Sequence, residues 1–294
     1  MLKVIEKTKI WFAISLTIIF IGIIFGVVRG GLNYGIDFKG GTIVQIEFGK
    51  SNIDKAAVEN IAKKYASDAT TNIANNTQVE IRSEALKQAD INKMFNEIKS
   101  KYNLNDKALL SQKQIGPSVG SDLKKNAVTS LAIAIAAILV YVAIRFEFKF
   151  GLSAIIALIH DVLITLSVYA IFNIQVNSPF IAAMLTITGY SVCDTVVVFD
   201  RIRENLRKIR NKDLAYIADK SITQTIARSI YTVLTVIITI LCVYIFVPSV
   251  REFALPLLVG ISSGCYSSIF IASPLWVIFK GMKKSKKTEK AFAK

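Results

Sequence analysis

Six apolar runs decide what this chain can fold into. They cover residues 11–28, 127–144, 152–172, 180–199, 230–247 and 253–279, each close to the roughly 20 residues that cross a bilayer core as a helix. Inside lipid every backbone polar group must be satisfied within the segment, so each run is read as a transmembrane helix. An even number of crossings puts both ends of the chain on one side. The first run has the length of a signal peptide, but Arg29, Gly30 and Gly31 follow it with no small-x-small cleavage pattern. It is read as a retained anchor.

Charge sets the orientation. The chain carries a formal net charge of +15 while 53% of its residues are hydrophobic, a combination typical of membrane proteins with basic cytoplasmic loops. Nucleic acid is not an expected partner. Basic residues collect on one side: Lys3, Lys7 and Lys9 before the first span, Arg145 and Lys149 between the second and third, eight within 200–228 and seven from Lys280 onward. The short loops 173–179 and 248–252 hold only Arg251. The positive-inside rule therefore places residues 1–10, the loop 200–229 and the tail 280–294 in the cytoplasm. The tail reads as a solvated topology determinant or, alternatively, as a contact for membrane lipids or a partner.

Residues 29–126 fall on the opposite side and are numerous enough for a domain. Their 15 basic residues do not disturb the assignment, because long domains translocate regardless of charge. Residues 42–48 alternate as a half-buried strand, 53–66 and 91–102 repeat at helical spacing, and 78–81 and 108–115 read as further strands. The order β-α-β-α-β suggests a small α/β sandwich, with a ferredoxin-like arrangement as one solution. The expected fold class is thus a membrane all-α bundle of six helices carrying a small extracytoplasmic α/β domain.

Catalysis finds little support. The Gly40-Gly41 pair is too short for a dinucleotide fingerprint and reads as a tight turn entering a strand. Cys193, Cys242 and Cys265 all lie in apolar runs without a CxxC pair, and His160 is the single histidine. Disulfides in the external domain, zinc sites and Ser-His-Asp chemistry are not expected, nor is any cofactor. The external domain is expected to bind or to move, and the chain is not expected to be an enzyme.

Charges at bilayer depth demand a partner or a task, since each costs at least about 2.5 to 3.5 kcal/mol to insert. Asp161, beside His160, sits mid-way along the third span, and Asp194 lies in the fourth. Asp194 precedes Asp200 by six residues, which puts it roughly 9 Å inside the basic face. Asp200 itself, followed by Arg201 and Arg203, reads as an interfacial ion pair. Arg228 opens the fifth span from that face and is either an ordinary positive-inside residue or a long arm reaching towards Asp194. In the second reading the pair is switchable: a change in separation loads or releases a proton. For Asp194 the alternative is a fixed hydrogen bond to a neighbouring Ser or Thr. Because histidine as a residue type titrates near neutrality, His160 could extend a relay from Asp161, although adjacent helix positions point about 100° apart; a packing or partner-contact role is the alternative. Tyr190 and Thr195, flanking Asp194, are candidate support residues. Gly260, Ser263, Gly264, Ser267 and Ser268 form a small-residue stretch in the sixth span, and Gly189 stands alone in the fourth. They read as helix-packing positions and not as chemistry.

With these pieces placed, the chain resembles, along nearly its whole length, the SecF branch of the SecD/SecF family of protein-export membrane proteins. The resemblance is carried by GIDFKGGT at 35–42, YVAIRFEFKFGLSAIIALIHD at 141–161, GYSVCDTVVVFDRIREN at 189–205, SITQTIARS at 221–229 and GCYSSIFIASPL at 264–275. It implies residence in the bacterial inner membrane, with 29–126 periplasmic, and a SecD partner. Together the two would form a twelve-helix bundle like those of the resistance-nodulation-division transporters. It also implies association with the SecYEG channel and YajC. The proton-motive force, or sodium in some members, would assist late translocation of an unfolded preprotein. Asp194 and Arg228 fall at positions of the family's proton pathway, with Asp161 beside them.

The chain departs from the family pattern in three places. Val192-Cys193-Asp194 stands where Leu-Asn-Asp is usual, Asp219 where Asn is usual, and Pro248 to Val250 replace a glycine pair. These bear on the hydrogen bonding beside Asp194 and on the shape of the outer loop. A half-subunit of a small-molecule or lipid exporter, or a passive scaffold for SecD, are the rival readings. An exporter usually holds both halves in one chain with larger external domains. No ATP-binding loop offers another energy source.

Overall fold

The computed structural model describes residues 1–49, 53–74, 77–209 and 213–281. The basic tail beyond Gly281, together with Arg210 and Lys212, lies outside the described residues. Six helices are long and apolar enough to cross a membrane: Ile5–Val28, Ser118–Val142, Phe148–Phe172, Ser178–Lys208, Leu214–Phe246 and Pro248–Gly281. They belong to α1 (Thr8–Val28), α5 (Pro117–Arg145), α6 (Phe148–Phe172), α7 (Ser178–Lys208), α8 (Leu214–Phe246) and α9 (Arg251–Ser267). The helix begun by α9 passes through a π turn, Ser268–Ala272, and continues to Gly281. Between α1 and α5 come α2 (Ile36–Lys39), β1 (Gly41–Glu47), α3 (Lys55–Tyr65), β2 (Thr70–Ala74), β3 (Gln78–Ser83), α4 (Gln88–Tyr102) and β4 (Leu109–Ile115).

α7 and α8 run 31 and 33 residues, which is about 46 to 50 Å of helix against a hydrocarbon core near 30 Å. Their surplus turns project beyond the core on the face opposite the sheet. Most of the stretch expected as a loop at 200–229 is therefore helix, continuing α7 to Lys208 and starting α8 at Leu214. Asp200 pairs with Arg203 at 3.0 Å and Arg145 at 3.7 Å, while Arg201 turns instead to Glu204.

α6, α7 and α9 form the packed centre, and α1, α5 and α8 keep most of their apolar surface outward, as lipid-facing helices do. Two apolar clusters fill the centre. Near the basic face Phe150 stacks on Trp276 and meets Phe199; towards the sheet, Tyr169, Phe180, Ile187, Leu257 and Ile261 pack together. α7 and α9 approach closely because Gly260 has no side chain: a Cβ there would lie 2.3 Å from Ile187 Cδ1. Gly260→Ala is expected to force the helices apart at about 1–3 kcal/mol, read as a lower melting temperature in detergent. Gly26→Ala, where a Cβ meets nothing within 4 Å, should leave that temperature unchanged or slightly raised.

The external domain holds one strand more than the sequence pattern suggests. β2 is an edge strand paired only with β3; its buried residue is Thr71, which donates to Glu59 Oε2 at 3.1 Å, while Ile73 is exposed, so the run TTNIA shows little apolar alternation. With it, the order is β-α-β-β-α-β and the sheet runs β2-β3-β1-β4, antiparallel throughout, which is the split βαβ arrangement. Val44, Ile46, Val79 and Ile81 point beneath α3 and α4. Gly41, at φ +145°, passes so close to β3 that a Cβ would sit 2.6 Å from the Ser83 carbonyl oxygen, which requires glycine at the strand entry.

Asp68, ahead of β2, accepts from Ser83 Oγ at 2.8 Å and from the Glu84 and Ala85 amides. Burial works against its charge, but these donors outweigh it and hold the carboxyl below its usual range. Since the folded value is depressed, its contribution is complete above the unfolded value of about 3.9 and is lost as pH falls through the folded value. Hydrogen-exchange protection at 83–86 is expected to drop below about pH 4. In Asp68→Asn it should already be low at pH 7 and change little with acid.

The domain is joined to the bundle where β4 runs into α5 and where α2 packs on α5 at Gly120, and by further contacts. The segment after α1 docks by backbone: Gly35 N donates to Val176 O and Val176 N to Asn33 O, both at 2.8 Å, and Ser178 N donates to Asp37 Oδ2 at 2.8 Å. From β3, Arg82 reaches down to Glu252 at the start of α9.

Candidate functional site

The two membrane carboxylates lie near one stretch of α7: Asp161 meets Ser191, three residues before Asp194. Asp161, 1% exposed, projects from the middle of α6 into the junction with α7 and α9. Its Oδ1 accepts from Ser263 Oγ at 2.7 Å and faces His160 Nδ1 at 3.1 Å. Its Oδ2 accepts from Ser191 Oγ at 2.6 Å and Ser267 Oγ at 2.8 Å. Two partners on each oxygen fill the acceptor sites of a carboxylate. His160 therefore does act with its neighbour, despite the 100° offset, because its ring folds back onto the carboxylate. Its Nε2 meets Ser15 Oγ of α1 at 2.8 Å, and Tyr266, stacked over the ring, donates to the Trp11 carbonyl at 2.8 Å. The cluster ties four helices to one acidic group.

Asp194, 8% exposed, is held differently. Oδ1 accepts from Ser229 Oγ of α8 at 2.6 Å, and Oδ2 has no hydrogen-bond partner among the described residues. Thr195, the next residue, shares a 2.7 Å hydrogen bond with Ser268 at the opening of the π turn. Arg228 stands beside the acid without gripping it: its side chain is exposed, and no ion pair within 4 Å joins it to Asp194 among the described residues. Its neighbour Ser229 makes the contact, because Arg228 faces outward on α8.

Tyr190 is half-buried against the sheet-side cluster. A Cβ on Gly264 would lie 3.0 Å from Ser191 Cβ, so this glycine, like Gly260, sits in the α7–α9 crossing. At Gly189 a Cβ would meet nothing within 4 Å, because two residues from Ile187 and from Ser191 the helix presents its opposite side. Ser263 and Ser267, expected only as small packing residues, donate to Asp161, and Ser268 bonds Thr195 beside Asp194. Their spacing of four and one places them on the face of α9 that also carries the glycines. Ser15 in α1 had no sequence signal, since a lone serine in a lipid-facing helix is unremarkable until its partner is known. Cys193 is exposed and takes no part in the cluster. Asp219 Oδ1 accepts from both the Val4 and Ile5 amides at 2.9 and 3.0 Å, a role that the carbonyl oxygen of an Asn could also fill.

The family model "Protein export membrane protein SecD/SecF, C-terminal" matches residues 94–282, and "SecD/SecF GG Motif" matches 25–51. The SecF protein translocase subunit of Sebaldella termitidis is 38% identical over 98% of this chain and 95% of its own length. The chain belongs to the SecD/SecF family. The SecDF translocase subunit of Bacillus subtilis is 36% identical over 94% of this chain but only 38% of its own length. The crystal structure of SecDF from Thermus thermophilus superposes with a TM-score of 0.79 at 32% identity, covering 94% of this chain. This chain spans 38% of that one. It is a multi-pass membrane protein of a transport family and not an enzyme. The two matched segments take in the Gly40–Gly41 turn and both carboxylate clusters, apart from Ser15.

Proposed function

We propose that this chain serves as the SecF subunit of a Sec translocase and that Asp194 carries the proton that couples the proton-motive force to protein export. The observation that carries this reading is the asymmetry of the two buried acids. Asp161 is saturated by its four partners, whereas one buried oxygen of Asp194 has no hydrogen-bond partner among the described residues. A buried carboxyl oxygen without a donor is the place where a proton can be added or removed without first breaking a network. Asp161, expected from the sequence to share the pathway, is assigned here to anchoring α1, α6, α7 and α9. Arg228 is assigned a mobile role, closing on Asp194 in another state of the cycle and stabilising its charged form.

The matches to less than two-fifths of each SecDF protein support a partner that supplies the rest, which we read as SecD. The count of basic residues supports cytoplasmic termini and a periplasmic sheet domain in the bacterial inner membrane. Contacts with the SecYEG channel, YajC and the emerging preprotein complete this reading. A membrane potential offers about 2.3 kcal/mol per elementary charge per 100 mV, so a few protons per cycle suffice to move an external domain.

Secretion of a reporter preprotein in cells depleted of their own SecF tests the assignment, with this chain and its SecD supplied together. Restored, potential-dependent export is expected. A chain that reaches the membrane yet leaves export at the depleted level would sink it.

A further inference from the structure

Arg82 is an unusual tether between the sheet and the membrane. It lies on the face of β3 turned away from α3 and α4, with a side chain only 13% exposed. Its Nη1 is 2.7 Å from Glu252 Oε1 and 3.5 Å from Gln175 Oε1, and its Nε pairs with Glu80. Burial opposes its charge, but Glu252 and Glu80 prevail and keep it titrating above the ordinary arginine value. Around this pair there is little packing. A polar cleft of about 390 Å³ opens between the sheet and the α8–α9 turn, lined by Lys55, Asn72, Glu80, Arg251 and Glu252 among others. The backbone bridge at 33–35 and 176 is by contrast continuous main chain. A domain held by main chain, at the 33–35 and 176 bridge and where β4 runs into α5, and by a side-chain ion pair beside a polar cleft at the α8–α9 turn has a hinge side and a releasable hold.

Glu252 is also the second residue of α9. The same helix, 11 residues or about 16 Å further on, presents Ser263 and then Ser267 to Asp161. Ser268 then bonds Thr195 beside Asp194. The π turn begins there, with Ser273 Oγ donating to the Ser268 carbonyl at 3.0 Å. A π turn accommodates one extra residue, and passing it along the helix rotates one half against the other by about 100°. α9 can thus exchange its hydroxyl contacts without unfolding.

Building on the proton-carrier reading of Asp194, we propose that α9 transmits the state of Asp194 to the sheet domain, with Arg82–Glu252 as the clasp that opens and recloses. Arg82 and Glu252 are positioning residues. Among the described residues neither contacts Asp161 or Asp194; Arg82 meets Glu252, Glu80 and Gln175.

The test uses the full chain with its SecD in membrane vesicles, in a background where Cys193, Cys242 and Cys265 are replaced by serine. Arg82→Cys and Glu252→Cys are joined by a cleavable bis-methanethiosulfonate bridge, because an Arg–Glu pair sits wider than a disulfide allows. With the bridge in place, export is expected to fall to the rate seen without a membrane potential, and a reductant should restore it. The bridging rate should drop about three- to tenfold when the potential is applied, as the exposed fraction of the clasp shifts. That response should vanish in Asp194→Asn. In unbridged chains Arg82→Gln should slow export, and Arg82→Lys should recover most of it.

Full potential-driven export by the bridged chain overturns the clasp. So does a bridging rate indifferent to the potential in a chain whose export still requires Asp194. Export that does not require Asp194 overturns the carrier reading instead, and a bridge that still blocks it would leave the clasp standing.

Discussion

Asp194→Asn is expected to reach the membrane at wild-type levels and to lose potential-dependent export entirely. The substitution keeps the shape of the side chain, and its carbonyl oxygen still accepts the Ser229 hydroxyl that Oδ1 accepts now. Its amide occupies the position of an oxygen that has no hydrogen-bond partner among the described residues. The stability change should stay within about 1–3 kcal/mol, the cost of burying the new amide donor there. The functional change is of another order, because asparagine cannot take up or release a proton, and the roughly 2.3 kcal/mol per charge per 100 mV is no longer harvested. Quantifying the membrane-inserted chain beside reporter export, with and without an uncoupler, separates the two effects. A mutant that exports at the wild-type, uncoupler-sensitive rate would make Asp194 structural and leave coupling to the partner subunit.

The reverse pattern is expected at Asp161. Asp161→Ala should be nearly absent from the membrane, because it strips the acceptor from Ser191, Ser263, Ser267 and His160 at once. Each buried donor left unsatisfied costs about 1–3 kcal/mol, and a domain has only about 5–15 kcal/mol to lose. Asp161→Asn retains an acceptor oxygen, and serine hydroxyls can turn to accept from its amide. It should accumulate well and export within a few-fold of wild type. The measurements are chain half-life after synthesis is stopped and the melting temperature of the purified complex in detergent. A stable Asp161→Asn protein that cannot export would return Asp161 to the proton pathway and end the division of labour between the two acids.

Some of this was legible before any tertiary contact was known. Asp161 and Asp194 stand out because charge is rare at bilayer depth, and length and apolarity alone locate the six helices. The serines do not stand out, since a hydroxyl is tolerated in any membrane helix and bonds its own i−4 carbonyl when nothing better is near. Ser262 does this to Leu258. Ser263, one residue on, does not, because α9 turns it towards α6. β2 does not stand out for a related reason: its buried residue is Thr71, whose hydroxyl is satisfied by Glu59, and Ile73 is exposed, so the strand lacks the apolar alternation that marks a half-buried strand.

What the sequence determined by itself is therefore whatever the solvent enforces on each segment separately: the spans, the basic face, the core strands and helices of the outer domain, and the two acids as exceptions to the rule of the membrane. What only the tertiary structure decided is which groups meet. Ser229 and not Arg228 holds Asp194, His160 joins Asp161, and Arg82 finds Glu252 170 residues away. Such pairings depend on helix rotation and on how near two backbones come, which glycines such as Gly260 set and no single segment encodes.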